Sequence, residues 1–147
     1  MKFRALLFLL TFALAASLPL TAHASACSNG TIRGTYAFTI HGTIFLPGGS
    51  TLLIDGVAKE TFDGNGNESQ VDAVATNGNL VPGWRPGSGS YSVNQDCTGT
   101  QTIVVEGMPD LHLQFIVAQG GNTIHQVVTN PGFATTAEGE RVRTPQD

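Results

Sequence analysis

Turn-forming clusters recur about every 8–15 residues between stretches of alternating apolar and polar side chains. That rhythm restricts the chain to short strands joined by tight connections. From Gly34 to Phe45, Tyr36, Phe38, Ile40 and Ile44 share one face, while Thr35, Thr39, His41 and Thr43 share the other. Leu46-Pro47-Gly48-Gly49-Ser50 is a loop, and Thr51 to Phe62 is a second strand region with Gly56 as a bulge or close-packing point. Asp63-Gly64-Asn65-Gly66-Asn67 is a dense turn signal, because Gly and Asn take positive φ at low cost. Further strands are expected at Ser69–Thr76, Ser88–Val93, Thr100–Glu106, Leu111–Val117, Thr123–Thr129 and Phe133–Ala137, with Pro82 to Gly87 an irregular loop. Leu111, Leu113, Phe115 and Val117 form the cleanest apolar face and are expected inside with Tyr36, Phe38 and Ile40. The expected fold is therefore all-β: an antiparallel closed or nearly closed barrel of about eight strands. A sandwich is the alternative, but closure removes the exposed edges that a flat sheet of Val- and Thr-rich strands would leave.

The N-terminal region reads differently. Lys2 and Arg4 precede an apolar run from Ala5 to Leu18, broken at Pro19. Ala22-His23-Ala24 then places small residues where a signal peptidase reads them. Residues 1–24 are assigned as a signal peptide, 25–137 as one barrel domain and 138–147 as a polar tail. The apolar run is too short and wrongly flanked for a lasting membrane span, and no later run is long enough, so no integral membrane segment is expected after cleavage. The expected address is secreted or periplasmic. In such an oxidising compartment Cys27 and Cys97, the only cysteines, are expected to pair. Lipidation of Cys27 is the competing fate. It would leave Cys97 unpaired, and Ala24 stands where a lipidation signal usually has Leu.

Removal of 24 residues leaves 123, enough for one core, with five basic residues against eleven acidic ones. That excess of acid argues against a nucleic-acid partner. Scarce charge and abundant Gly, Thr, Ser, Asn and Val favour strands over surface helices.

Four segments carry a family likeness. They are Cys27-Ser28-Asn29, Gly34-Thr35-Tyr36-Ala37-Phe38, Phe62-Asp63-Gly64-Asn65-Gly66-Asn67 and the run Gly89-Ser90-Tyr91 through Asn94-Gln95-Asp96-Cys97-Thr98-Gly99-Thr100. Together they resemble a group of exported bacterial proteins of uncharacterised function that is similar to calycin-like barrels, including the allene oxide cyclase type. The resemblance implies a small closed barrel with a central cavity. No position matches a cyclase site, so no catalytic residue follows from it.

Candidate chemistry is sparse. Asp63, Asn65 and Asn67 fall at the first three ligand positions of an EF-hand-like loop, but Glu68 replaces the required Gly and Val74 the bidentate Glu. A plain turn is expected, with no metal and no cofactor. His41, His112 and His125 sit at alternate strand positions without a metal motif and are expected to face solvent. Glu60 shares a strand face with Ala58 and Phe62. Inside a barrel its carboxyl would acquire a raised pKa and could act as acid or base. Outside, it would meet solvent, Lys59 or Arg33. Asp55 and Asp72 raise the same question. Ser90 and Ser92 lack the Gly-x-Ser-x-Gly elbow. Trp84, the only tryptophan, suits a half-buried loop anchor, a cap on a barrel mouth or a stacking surface. Glu60 and Trp84 are thus the two ligand-site candidates. The expectation is a binding or structural module that could hold a small apolar ligand in the barrel, ahead of an enzyme. The alternative is a cavity-based isomerase or cyclase.

Overall fold

The computed structural model describes residues 26–143. The signal peptide assigned to residues 1–24 lies outside the described residues, as do residues 144–147 of the tail. The alternation of the first two strand regions yields β1 (Gly34–Phe45) and β2 (Thr51–Phe62). Then follow β3 (Asn67–Thr76), β4 (Asn79–Leu80), β5 (Arg85–Val93), β6 (Thr98–Val105), β7 (Leu111–Ala118), β8 (Thr123–Val128) and β9 (Phe133–Arg141). All pairings are antiparallel, and β1 pairs with both β2 and β9. The sheet closes as an eight-stranded barrel in the order β1-β2-β3-β5-β6-β7-β8-β9. β4 is a short outer strand, joined to β3 only at Ala75 and Thr76.

Closure leaves one inward and one outward face. Tyr36, Phe38, Leu113, Phe115 and Val117 are buried, with Ile40 and Leu111 partly so. Large buried side chains stabilise the fold by about 1.5–3 kcal/mol each. The core is divided in two. Ile32, Tyr36, Phe38, Phe62, Tyr91, Phe115 and Ile124 fill one end. Ile103, Val105, Leu113 and Val128 form a smaller cluster nearer the other.

The filled end is sealed by the N-terminal segment. A 3-10 turn, Asn29–Ile32, drives Ile32 to zero exposure. Asn29 Oδ1 accepts from the Val93 N–H at 2.7 Å, and Tyr91 Oη donates to the Asn29 carbonyl at 3.3 Å. Phe62 meets Tyr36 and Tyr91 edge-on, with ring centroids 5.5 and 4.9 Å apart. Cys27 and Cys97 are bonded as a disulfide with Cα atoms 5.0 Å apart. The Cys27 thiol is engaged in that bond, which supports the disulfide over lipidation.

Two boundaries differ from the sequence expectation. The tail assigned from residue 138 is ordered strand through Arg141. Glu138 and Glu140 are exposed, while Gly139 is buried beneath the Phe38 ring. Period-two alternation thus continues, with Gly and Arg standing where an apolar residue is the usual marker. The loop assigned to Pro82–Gly87 ends earlier, because β5 begins at Arg85 opposite Asp72.

Candidate functional site

Between the two apolar clusters lies a belt of polar side chains. β2 supplies Glu60, β3 supplies Glu68, Gln70 and Asp72, β6 supplies Gln101, β8 supplies Gln126 and β9 supplies Thr135, all buried. Every one of them occupies an inward position of its strand, so the closed sheet gathers residues far apart in sequence. β5 makes room for them. Gly89 stands opposite Glu68 and Gly87 opposite Gln70. A Cβ at Gly89 would lie 2.6 Å from Glu68 Oε1, and one at Gly87 would lie 3.0 Å from Gln70 Cγ.

Above the belt, toward the loops after β1, β3, β6 and β8, the barrel is hollow. A cavity of about 220 Å³ is walled by Ile40, Ile54, Ile103, Leu113, Val128 and neighbouring apolar residues, with Glu60, Gln70, Asp72, Arg85, Gln126 and Thr135 among its polar lining. That is below the ~300–1,000 Å³ of drug-sized sites, so only a small molecule would fit it. Asp72 and Arg85 are cross-strand partners and form a forked ion pair, Nε to Oδ1 at 2.7 Å and Nη2 to Oδ2 at 3.0 Å.

The belt holds its acids in an unusual state. Burial pushes the Glu60 carboxyl up to about 7, against the opposing effect of its hydrogen bonds with Gln101 and Gln126. Burial, and then the nearby Glu60 charge, push Glu68 up to about 8. A carboxyl that stays protonated near neutral pH can donate as well as accept a hydrogen bond. Both Glu68 oxygens, Gln101 Oε1, Gln126 Oε1 and Thr135 Oγ1 are buried with no partner among the described residues.

The two candidates named from sequence separate. Glu60 lies inside the barrel and lines the cavity, rather than meeting Lys59, Arg33 or solvent. Trp84 is 62 % exposed, not half-buried, and stands on the outer surface near Val57 and Lys59, away from the cavity lining. The reason is local: Trp84 directly precedes Arg85, which turns inward to Asp72, so the neighbouring side chain turns out.

The remaining candidates lie apart from this belt. His41, His112 and His125 are exposed, with His41 Nδ1 3.0 Å from Asp55 Oδ1. Ser90 and Ser92 also face outward. Asp63 Oδ1 accepts from the Asn65 and Asn67 N–H groups, at 2.7 and 3.0 Å, and Oδ2 accepts from Asn67 Nδ2 at 2.8 Å. Those bonds hold its carboxyl down to about 2 and identify the segment as a side-chain-stabilised turn. Among the described residues no group of three or more His, Cys, Asp or Glu is gathered for a metal, and no helix is long and apolar enough to cross a membrane.

Sequence reasoning missed Glu68, Gln70, Gln101, Gln126, Thr135 and Arg85. One signal was present: Glu68, Gln70 and Asp72 alternate on one face of a strand whose far end, at Val74 and Thr76, points into the same interior.

No family model, curated protein or solved structure matches the chain.

Proposed function

We propose that this is an exported, disulfide-bonded barrel that binds one small, largely apolar molecule in the cavity above its polar belt. The observation that carries this reading is the cavity itself: an apolar sleeve in a closed barrel, ending on a few fixed polar groups. A purely structural barrel would gain stability by filling that space, and would gain again by replacing buried Glu60 and Gln126 with apolar residues. Export is supported by the order of charged, apolar and small residues before Ser25, and by the Cys27–Cys97 bond. The calycin-like resemblance points to the same use of a barrel interior.

Native mass spectrometry of protein purified from its own host, read beside a Val128→Phe variant that fills the cavity, tests the reading. Retained small-molecule mass in the parent and none in the variant is expected. An unliganded parent that also fails to take up small apolar probes defeats it. N-terminal sequencing of the exported product is expected to give Ser25 or a near neighbour.

Glu60 supports a second reading, a cavity-based isomerase or cyclase. A carboxyl poised near 7 at the edge of an apolar cavity suits proton transfer to and from a bound molecule. Conversion of the retained molecule by the parent, lost in Glu60→Gln, would move the assignment to an enzyme.

A further inference from the structure

We infer that the cavity takes a small apolar amine, with its ammonium group seated against Glu60; this rests on the ligand-binding reading above. The cavity floor holds two acids, Glu60 and Asp72, each more than nine-tenths buried, and among the described residues Arg85 is the one cation in the cavity lining. Its guanidinium is already engaged, with Nε and Nη2 on Asp72 and Nη1 against Met108 Sδ at 3.1 Å. A ligand carboxylate would find no free cation and would add a negative charge beside Glu60, in surroundings where unpaired charge is costly. With Asp72 already neutralised by Arg85, an ammonium beside Glu60 pairs with its carboxylate form, the carboxyl proton passing to solvent, so that neither charge is left alone in the cavity.

The hydrogen-bonding inventory agrees. Glu60 Oε2 is held by Gln101 Nε2 at 3.0 Å, and the Gln126 side chain lies beside the same carboxyl, so an occupant of the cavity meets Glu60 and Gln126 together. Gln126 and Thr135 line the same floor, more than nine-tenths buried, and each has a side-chain oxygen without a partner. An ammonium has three donors and no acceptor, which matches three oxygens. An alcohol brings one donor and no charge, and a carboxylate brings acceptors only. The sleeve above, formed by Ile40, Ile54, Leu113 and Val128, covers a hydrocarbon tail. Its 220 Å³ lies below the ~300–1,000 Å³ of drug-sized sites, which restricts that tail to a short chain.

The test is an NMR titration of the mature protein near neutral pH with hexylamine, hexanol, hexanoate and toluene. Hexylamine is expected to bind about tenfold more tightly than hexanol, shifting the Gln126 and Thr135 resonances, with hexanoate weakest. Glu60→Gln should bring hexylamine down to the level of hexanol. Thr135→Val, which removes one acceptor and no charge, should weaken hexylamine a few-fold. Hexanoate binding as tightly as hexylamine, or hexylamine keeping its advantage in Glu60→Gln, overturns the amine assignment. In either case, binding of toluene or hexanol in the cavity leaves the ligand-binding reading standing. If none of the four probes binds, both fall.

Discussion

The Gln101 side-chain amide donates to Glu60 Oε2 at 3.0 Å, linking β6 to β2 across the inside of the barrel, three strand positions apart. This bond and burial act in opposite directions on Glu60, and burial wins.

A pH dependence follows. Glu60 and Glu68 have folded-state pKa values of about 7 and about 8, above the ordinary 4.5. Between about pH 4.5 and 8 the folded state holds protons that the unfolded chain has released, so stability falls as pH rises through that window. For Glu60 alone the loss is on the order of 3 kcal/mol. Asp63 and Asp96, whose pKa values are lowered, act at the acid end instead, where their contribution is lost as pH falls. Urea denaturation at several pH values between 5 and 8.5 is expected to show a declining midpoint, and Glu60→Gln should flatten the decline. A parent whose midpoint is level or rises over that range would contradict the buried belt.

Arg141 is expected to matter as much as a core residue. Its guanidinium stacks 4.8 Å from the Tyr36 ring centroid and donates to the carbonyls of Thr31, Arg33 and Gly121. Tyr36 Oη donates to the same Gly121 carbonyl. One side chain of the last strand thus fastens the N-terminal turn, β1 and the β7–β8 connection. Arg141→Ala should cost about 2–4 kcal/mol. Arg141→Lys should recover only part, because an ammonium cannot fork to several carbonyls at once. A loss below about 0.5 kcal/mol for the alanine variant would place Arg141 with ordinary surface residues.

Much of this fold was legible because β1 and β7 obey the simplest rule, apolar in and polar out. The turn clusters also fell where β1, β2, β7 and β8 are bounded. The belt escaped because β3 breaks the rule. Glu68, Gln70 and Asp72 point inward while Val71 and Ala73 lie outside that buried set, so a reading by hydrophobicity reverses the strand. Only closure of the sheet explains the reversal, since Asp72 finds its ion-pair partner Arg85 on β5 and the other buried polar residues of the belt come from β2, β6, β8 and β9. Arg141 was missed for a related reason: its contacts are to carbonyls more than a hundred residues earlier, at Thr31 and Arg33.

Gly99 and Phe115 should behave as a coupled pair. They are cross-strand partners, and a methyl at Gly99 would overlap the Phe115 ring and crowd the Ser92 carbonyl. Phe115→Ala should cost about 3–5 kcal/mol by opening a cavity in the sealed end. Gly99→Ala should cost about 1–3 kcal/mol by overpacking. The double variant should lose less than the two added together, since truncating the ring removes most of the overlap. Strict additivity in denaturant titrations would show that the ring does not rest on Gly99.

The disulfide can be separated from the backbone strain at one of its ends. Cys27 and Cys97 are 70 residues apart, so the bond should restrict the unfolded chain by about 4 kcal/mol in the entropy model. Cys97 also has φ 69°, in the left-handed region where a side chain costs roughly 1–2 kcal/mol. That conformation lets the Cys97 N–H reach the Asn94 carbonyl at 3.0 Å while its own carbonyl accepts from Val117 N–H at 2.8 Å. Cys97→Ser loses the bond and keeps the strain. Cys97→Gly loses the bond and relieves the strain, so it should be the more stable variant by about 1 kcal/mol. Both should melt below the parent, with their β content unchanged at low temperature, because the barrel closes through β1 and β9 and not through the bond. Thermal melts of the three proteins without reductant check the order. A Cys97→Gly variant as stable as the parent would show that the disulfide contributes no more than it costs to hold Cys97 in place.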